Sequence, residues 1–345
     1  MMKTKSVRTI LLPILAGLLL LGGLRVSQAQ IDPIPILTPF INETILPTYA
    51  ELDQRADVLI AAIGALTAAG GVTADNLQAA RVAWLAARVP WERSEAFLYG
   101  PADTDGIDPR IDTWPVDVNQ LLAIIDVATG PAEFTQAVLD DLVNTGGEGV
   151  VGFHVIEYLL FVDANDNRDP GDVVAGMLAE PRRGAYLAAL VADFKAQTLA
   201  LTTAWQPAGG NYAATFIGGG LASLQEMVGG MIGIADEVAN GKLAAATALE
   251  LESASSGNTL ADILNNILGI RAAYEHVSAT MSVVSPDADV AVRGNLRAAV
   301  AAIAKIPVPL RDSLTLAMPE VQEALTAVAA LQAALEQIAA ALPTP

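Results

Sequence analysis

The chain has 345 residues with 38 acidic against 19 basic side chains, a formal net charge of −19, and no cysteine. That charge repels nucleic acid and anionic lipid and attracts cations, while the lack of cysteine excludes a disulfide framework, a lipid anchor on cysteine and a thiol nucleophile. With 53% hydrophobic residues the length is ample for a packed core, as one large domain or two small ones.

Residues 1–29 read as a signal peptide. Lys3, Lys5 and Arg8 precede an apolar stretch from Ile10 to Leu24, short for a membrane span, and Ser27-Gln28-Ala29 offers a small-residue cleavage site. The expectation is an exported mature chain that begins near Gln30, resides in a bacterial periplasm or cell envelope, and is not integral to the membrane. Removal of Lys3, Lys5, Arg8 and Arg25 leaves 15 basic against 38 acidic residues, a net −23.

Beyond Gln30, Ala, Leu, Gln and Glu dominate at three-to-four-residue apolar spacing, and strand-like alternation is nearly absent, so an all-α protein is predicted. Thr73 is predicted to cap a helix bearing Trp84, Arg88, Trp91, Glu92 and Glu95 and ending at Tyr99-Gly100-Pro101. Glu92 at i+4 and Glu95 at i+7 share a face with Arg88; taken alone, the tryptophans read as core and the Arg–Glu pairs as a surface ladder. Asp103 to Asp108 reads as an acidic loop. In Ile111-Asp112-Thr113-Trp114-Pro115-Val116-Asp117, Asp117 is a helix cap and Asp112 has no obvious local task. Pro131 suits a first helical turn.

A helix from Gly149 to Phe161 would carry Gly152-Phe153-His154-Val155-Ile156-Glu157. Its i, i+3 spacing puts one of only two histidines and a carboxylate on the same face, where they can share a cation. Asp163 to Asp169 begins like an EF-hand loop, but Arg168 stands where glycine is needed and Val174 where the bidentate glutamate belongs, so a solvated loop is expected, with a weak calcium site as the alternative. Further helix starts are read at Asp172 and Ser285, and breaks at Gly70-Gly71, Gly146-Gly147, Pro181, Gly209-Gly210 and Pro307 to Pro309. Gly218-Gly219-Gly220 and Gly229-Gly230 lie in an apolar helical stretch and read as close helix packing. His276 reads as a helix-face bystander, and Leu314 to Ala341 as bundle scaffold.

Gly-x-Ser-x-Gly and His-Glu-x-x-His are both missing, and two histidines are too few for a bundle di-iron site, which disfavours nucleophilic hydrolysis, a conventional zinc peptidase and a ferroxidase. One imidazole among many carboxylates suits iron or a similar divalent or trivalent ion, with zinc possible.

Four stretches stand in order: Trp84…Arg88…Trp91-Glu92…Glu95-Ala96-Phe97…Gly100-Pro101; Asp112-Thr113-Trp114-Pro115-Val116-Asp117; Gly152-x-His154-x-x-Glu157; and Leu251-Glu252-Ser253…Ser256-Gly257-Asn258-Thr259-Leu260-Ala261-Asp262…Asn266-Ile267. Together they resemble the imelysin-like family, the HXXE peptidase-like or iron-regulated protein A-like proteins of the bacterial envelope. The resemblance implies a domain over 30–345 made of two related helical bundles packed together, with pseudo-repeat halves at about 45–165 and 185–340. It implies a site near their interface at which His154 and Glu157, with Glu92 and Glu95, hold a metal, and Arg88, Asp112, Glu252, Ser256 and Asp262 ligate or support it. The family is linked both to iron acquisition and to peptidase activity. Binding of iron or an iron-containing ligand, with an envelope iron-transport partner, is the expectation; the alternative is a metallopeptidase with Glu157 as general base, and a third reading is a non-catalytic envelope receptor.

Overall fold

Apolar side chains at helical spacing bury one stripe per helix, and among the described residues every regular element is helical. The computed structural model describes residues 31–244, 251–310 and 318–345. The signal peptide expected at 1–29 and the first residues of the Leu314–Ala341 segment lie outside them. In chain order the helices are α1 (Ile34–Phe40), α2 (Leu46–Thr67), α3 (Ala74–Ser94), α4 (Pro101–Thr104), α5 (Ile107–Asp112), α6 (Val118–Ile125), α7 (Gln136–Gly146) and α8 (Gly152–Phe161). They continue as α9 (Pro170–Ala179), α10 (Pro181–Trp205), α11 (Tyr212–Gly218), α12 (Leu221–Glu237), α13 (Thr259–Val284), α14 (Pro286–Ile303) and α15 (Pro319–Ala341).

Two bundles result. In one, α2 lies between α3 and α10, with α8 packed on α3 and α10; in the other, α14 packs on α13 and α15, and α12 on α13 and α15. The seam between them is the contact of α3 with α13. Gly269 makes that seam tight, since a Cβ there would lie 2.2 Å from the Arg93 carbonyl oxygen. Helix α15 is long and apolar enough to cross a membrane, yet Val321, Val328, Leu331, Leu335 and Ile338 are buried, and the helix packs on α12 and α14 as the expected scaffold.

The local signals mostly act where expected. The Thr73 hydroxyl accepts from the Asn76 amide at 3.2 Å and the Asp117 carboxylate from the Gln120 amide at 2.9 Å, each capping a helix. Four expectations are corrected. Helix α9 begins before Asp172, because Pro170 fits its first turn and Asp169 caps it through the Gly171 amide. Pro131 precedes α7 rather than starting it; its carbonyl accepts from Arg182, and Thr135 is the cap. The acidic stretch at Asp103 to Asp108 is not one loop but the end of α4, a two-residue turn at Asp105-Gly106 and the start of α5. Gly218 ends α11 and Gly220, at φ +60°, turns the chain into α12, whereas Gly230 does serve close packing, against the Ala96 carbonyl.

Candidate metal centre

The start of α8 is set by Gly152 rather than by Gly149. Its φ of +81° suits glycine, and a Cβ would lie 2.4 Å from the carbonyl oxygen of Ile111. This close approach seats α8 on the C-terminal end of α5 and places His154 beside Asp112. Helix α3 crosses the same point with Arg88 and Glu92, Glu95 follows in a 3₁₀ turn at Glu95–Phe97, and the turn at 251–258 that leads into α13 brings Glu252, Ser256 and, one turn later, Asp262.

Arg88 is fully buried at the centre of this convergence, so the expected surface ladder is instead an interior network. Its guanidinium pairs with Glu92 and Asp112, with Glu252 Oε1 at 2.7 Å and with Asp262 Oδ1 at 3.4 Å, and it lies 4.9 Å over the Phe153 ring. Burial opposes its charge, but Asp112, Glu92, Asp262 and Glu252 outweigh that and raise its pKa further. Trp91 is core, as expected, and also donates its indole N–H to Asp112 Oδ2 at 2.6 Å.

Lys242 was not legible as a site residue. A π-helical turn at Val238–Lys242 drives its ammonium into the interior, 2.8 Å from Glu252, 3.0 Å from Glu95 and 3.2 Å from Glu92. The one hint was scarcity, because beyond residue 30 the chain has only three lysines, Lys195, Lys242 and Lys305. Asn266, also without an assigned role in the sequence, donates to Glu92 Oε2 at 2.8 Å.

His154 and Glu157 meet as their spacing requires, with Nδ1 at 3.2 Å from Glu157 Oε2. The other oxygen of Glu157 accepts the Ser256 amide at 2.6 Å, so both carboxylate oxygens are engaged and the glutamate fixes the imidazole. Nε2 of His154 points toward Asp112 Oδ1 at 3.1 Å and Glu252 Oε1 at 3.7 Å, without an aligned hydrogen bond. Burial opposes protonation of His154, yet Asp112, Glu157 and Glu252 raise its pKa well above the ordinary value. His276 lies elsewhere, against Phe40 and the Thr44 hydroxyl at 2.8 Å.

Glu92, Glu95, Asp112, Glu157, Glu252 and Asp262 thus converge on Arg88, Lys242 and His154, an interior with twice as many acids as bases. Each ion in such surroundings costs roughly several kcal/mol to desolvate, so burial favours the protonated form of the surplus acids. Burial raises Glu92 and Glu95 well above the carboxylate range and brings Asp262 to about 6. Burial also opposes the charges of Asp112 and Glu252, but Arg88 and His154 hold the first below its usual value and Lys242 and Arg88 the second.

Two overlapping donor sets are spaced closely enough to share a cation, and the second of them already surrounds the Lys242 ammonium. One atom each of Asp112, His154 and Glu252 lie within 4.8 Å of one another, as do atoms of Glu92, Glu95, Asp112 and Glu252. A buried ring nitrogen aimed at two carboxylates matches a hard or borderline divalent or trivalent ion once its proton is released, because only the neutral imidazole ligates a metal. The Asp163 loop is different, since its leading carboxylate accepts the Asn165 and Asn167 amides of its own turn at 2.7 and 2.8 Å.

Known proteins show the same architecture. A structure of an iron-regulated protein A precursor from Parabacteroides distasonis superposes with a TM-score of 0.75 at 24% identity, covering 90% of this chain and 95% of that one. An imelysin-like protein from Psychrobacter arcticum gives 0.54 at 18% identity over 87% and 92%; both show likeness of fold. In sequence, iron-regulated protein A of Synechococcus elongatus is 31% identical over 245 residues, 67% of this chain but 61% of the relative, so the match spans less than two thirds of that protein's length. The profile of the family described as Imelysin matches residues 45–342, nearly the whole described chain, and by that match the protein belongs to the imelysin family.

Proposed function

We infer that this is an exported cell-envelope protein that binds a metal ion, with iron favoured, as cargo in iron uptake. The observation that carries the reading is the buried nitrogen of His154 facing Asp112 and Glu252 inside an interior rich in acids. Asp112, His154 and Glu252 would hold the ion, with Glu92 and Glu95 on its far side. Glu157 would orient the imidazole, as a carboxylate behind a metal-bound histidine does. Arg88 and Lys242 would then balance the remaining carboxylates. An envelope transport partner that accepts the cargo belongs to the same proposal, and the iron-regulated name of the Synechococcus relative is consistent with it.

The metallopeptidase alternative asks Glu157 to take a proton from water. Its two oxygens are engaged by His154 and the Ser256 amide, which supports an orienting task over that of general base. Calorimetry with ferrous ion under anaerobic conditions tests the reading. Glu157→Ala is expected to weaken binding by ~10- to 100-fold, the range for loss of a group that orients a ligating histidine, and His154→Ala by at least as much, with helicity retained. Unchanged affinity in the double variant rejects the site. Chelator-sensitive cleavage of insulin chains that disappears in Glu157→Ala would establish the peptidase instead.

A further inference from the structure

Beside the centre lie two adjoining cavities that the proposed binding does not use. One, of about 250 Å³, is lined by Glu95, Asp108, Asp112, Trp114 and Glu237 among others. The second, of about 380 Å³, shares Glu95, Leu98, Asp108 and Glu237 with it and extends along α12 past Tyr99 and Glu226. A continuous acid-lined space therefore runs from the exposed Glu226 to Glu95 and Asp112, which belong to the candidate donor sets.

Three further features set this space apart from an ordinary acidic surface. Tyr99 is more than nine-tenths buried and lines the cavity, with its hydroxyl free of any protein hydrogen bond. The α12 wall is made by Gly229, Gly230 and Gly233. A Cβ added at Gly229 or Gly233 meets nothing within 4 Å, so the wall is left open where most residues would fill it. Glycine within a helix costs about 0.5–1 kcal/mol relative to alanine, so packing alone does not explain two such positions. Burial also raises the Asp108 carboxyl to about 7, with the charges of Asp112 and Glu237 adding to it, and raises Glu237 and Glu226 in the same direction.

Resting on the metal-binding reading, we propose that this space is an access vestibule in which Glu226, Glu237, Asp108 and Tyr99 hold a hydrated cation before it passes Glu95 to the centre. The vestibule acids do not close into a compact donor group among the described residues, as those of the centre do. They are suited to grip an ion through its water shell, with the Tyr99 hydroxyl bonding a shell water. Clefts lined by one sign of charge raise association rates by roughly 10- to 1,000-fold, so the vestibule acts on the rate of capture more than on the strength of holding.

Stopped-flow measurement of terbium(III) luminescence, sensitised by the nearby tryptophans, separates these effects at low salt. Asp108→Asn with Glu226→Gln lowers the charge, and Gly233→Leu fills the passage without touching any acid. Both are expected to slow terbium association at least ~10-fold; the plug in Gly233→Leu slows dissociation from the centre by the same factor and leaves affinity unchanged, whereas the charge variant leaves dissociation within a factor of about two. His154→Ala is expected to do the reverse, with faster dissociation and unchanged association. Equal association rates in the wild type and in both vestibule variants overturn the vestibule and leave the centre standing. A wild type that takes up no terbium(III) at all overturns both readings, and slow association in the charge variant but not in Gly233→Leu overturns the passage in favour of a general surface field.

Discussion

Arg88 meets Glu92 from its own helix, Asp112 from α5, Glu252 from the turn before α13 and Asp262 from α13 itself. Without it, four carboxylates face one another away from water. Arg88→Met is therefore expected to destabilise the protein by about 3–5 kcal/mol, the range for breaking a buried ionic network, as read by urea unfolding. A loss under about 1 kcal/mol would mean that protons replace the guanidinium. The titration of the same groups gives a second expectation. Asp262 at about 6, Asp108 at about 7 and the raised Glu92 and Glu95 all bind protons more tightly folded than unfolded. Their stabilisation is complete below the unfolded carboxylate values and is lost as pH rises through the folded ones, so the Tm of metal-free protein should fall between about pH 5 and pH 7. Asp112 and Glu252 are shifted down and ionised in both states over that window, so they add no slope. A flat or rising Tm in that interval would contradict the assignment, and an added cation, which displaces the protons, should lessen the fall.

At the scale of elements, the centre depends on how α8 is seated against α5. Gly152→Ala puts a methyl into the Ile111 carbonyl at a backbone angle that favours glycine, and is expected to cost about 1–3 kcal/mol and to separate His154 from Asp112. Thermal unfolding and calorimetry should move together in this variant; lost stability with intact ferrous-ion affinity would show that the seating does not position the histidine. Local signals of this kind were readable in advance. Thr73, Asp117 and the spacing of His154 and Glu157 act within a turn or two of themselves, where sequence and geometry are nearly the same thing. The helix positions of Arg88 and Glu92 were readable too, but not their burial, because that is decided by α13, which lies about 170 residues further on. Lys242 was hidden for the same reason, compounded by a π-helical turn that leaves no periodic mark.

The molecule as a whole is acidic, with a formal net charge of −19, and its interior holds charges of both signs. If the export reading is right, mass spectrometry of protein from the envelope fraction should give an N-terminus near Gln30; recovery of Met1 or Met2 in a membrane-embedded form would refute it. The all-helical fold followed from composition and period alone, whereas membership of one family rested on four short stretches in a fixed order, which no single helix reveals. One consequence of the Arg88 network concerns timing. Its partners stand 4, 24, 164 and 174 residues away along the chain, so the network closes only after the longest loops have closed, among the slower events available to such a chain. A growing or truncated polypeptide that stops short of α13 has the histidine and several of the acids but not the cage. The arrangement of acids around Arg88 is thereby a property of the finished chain, and no fragment that ends before Glu252 and Asp262 can assemble it.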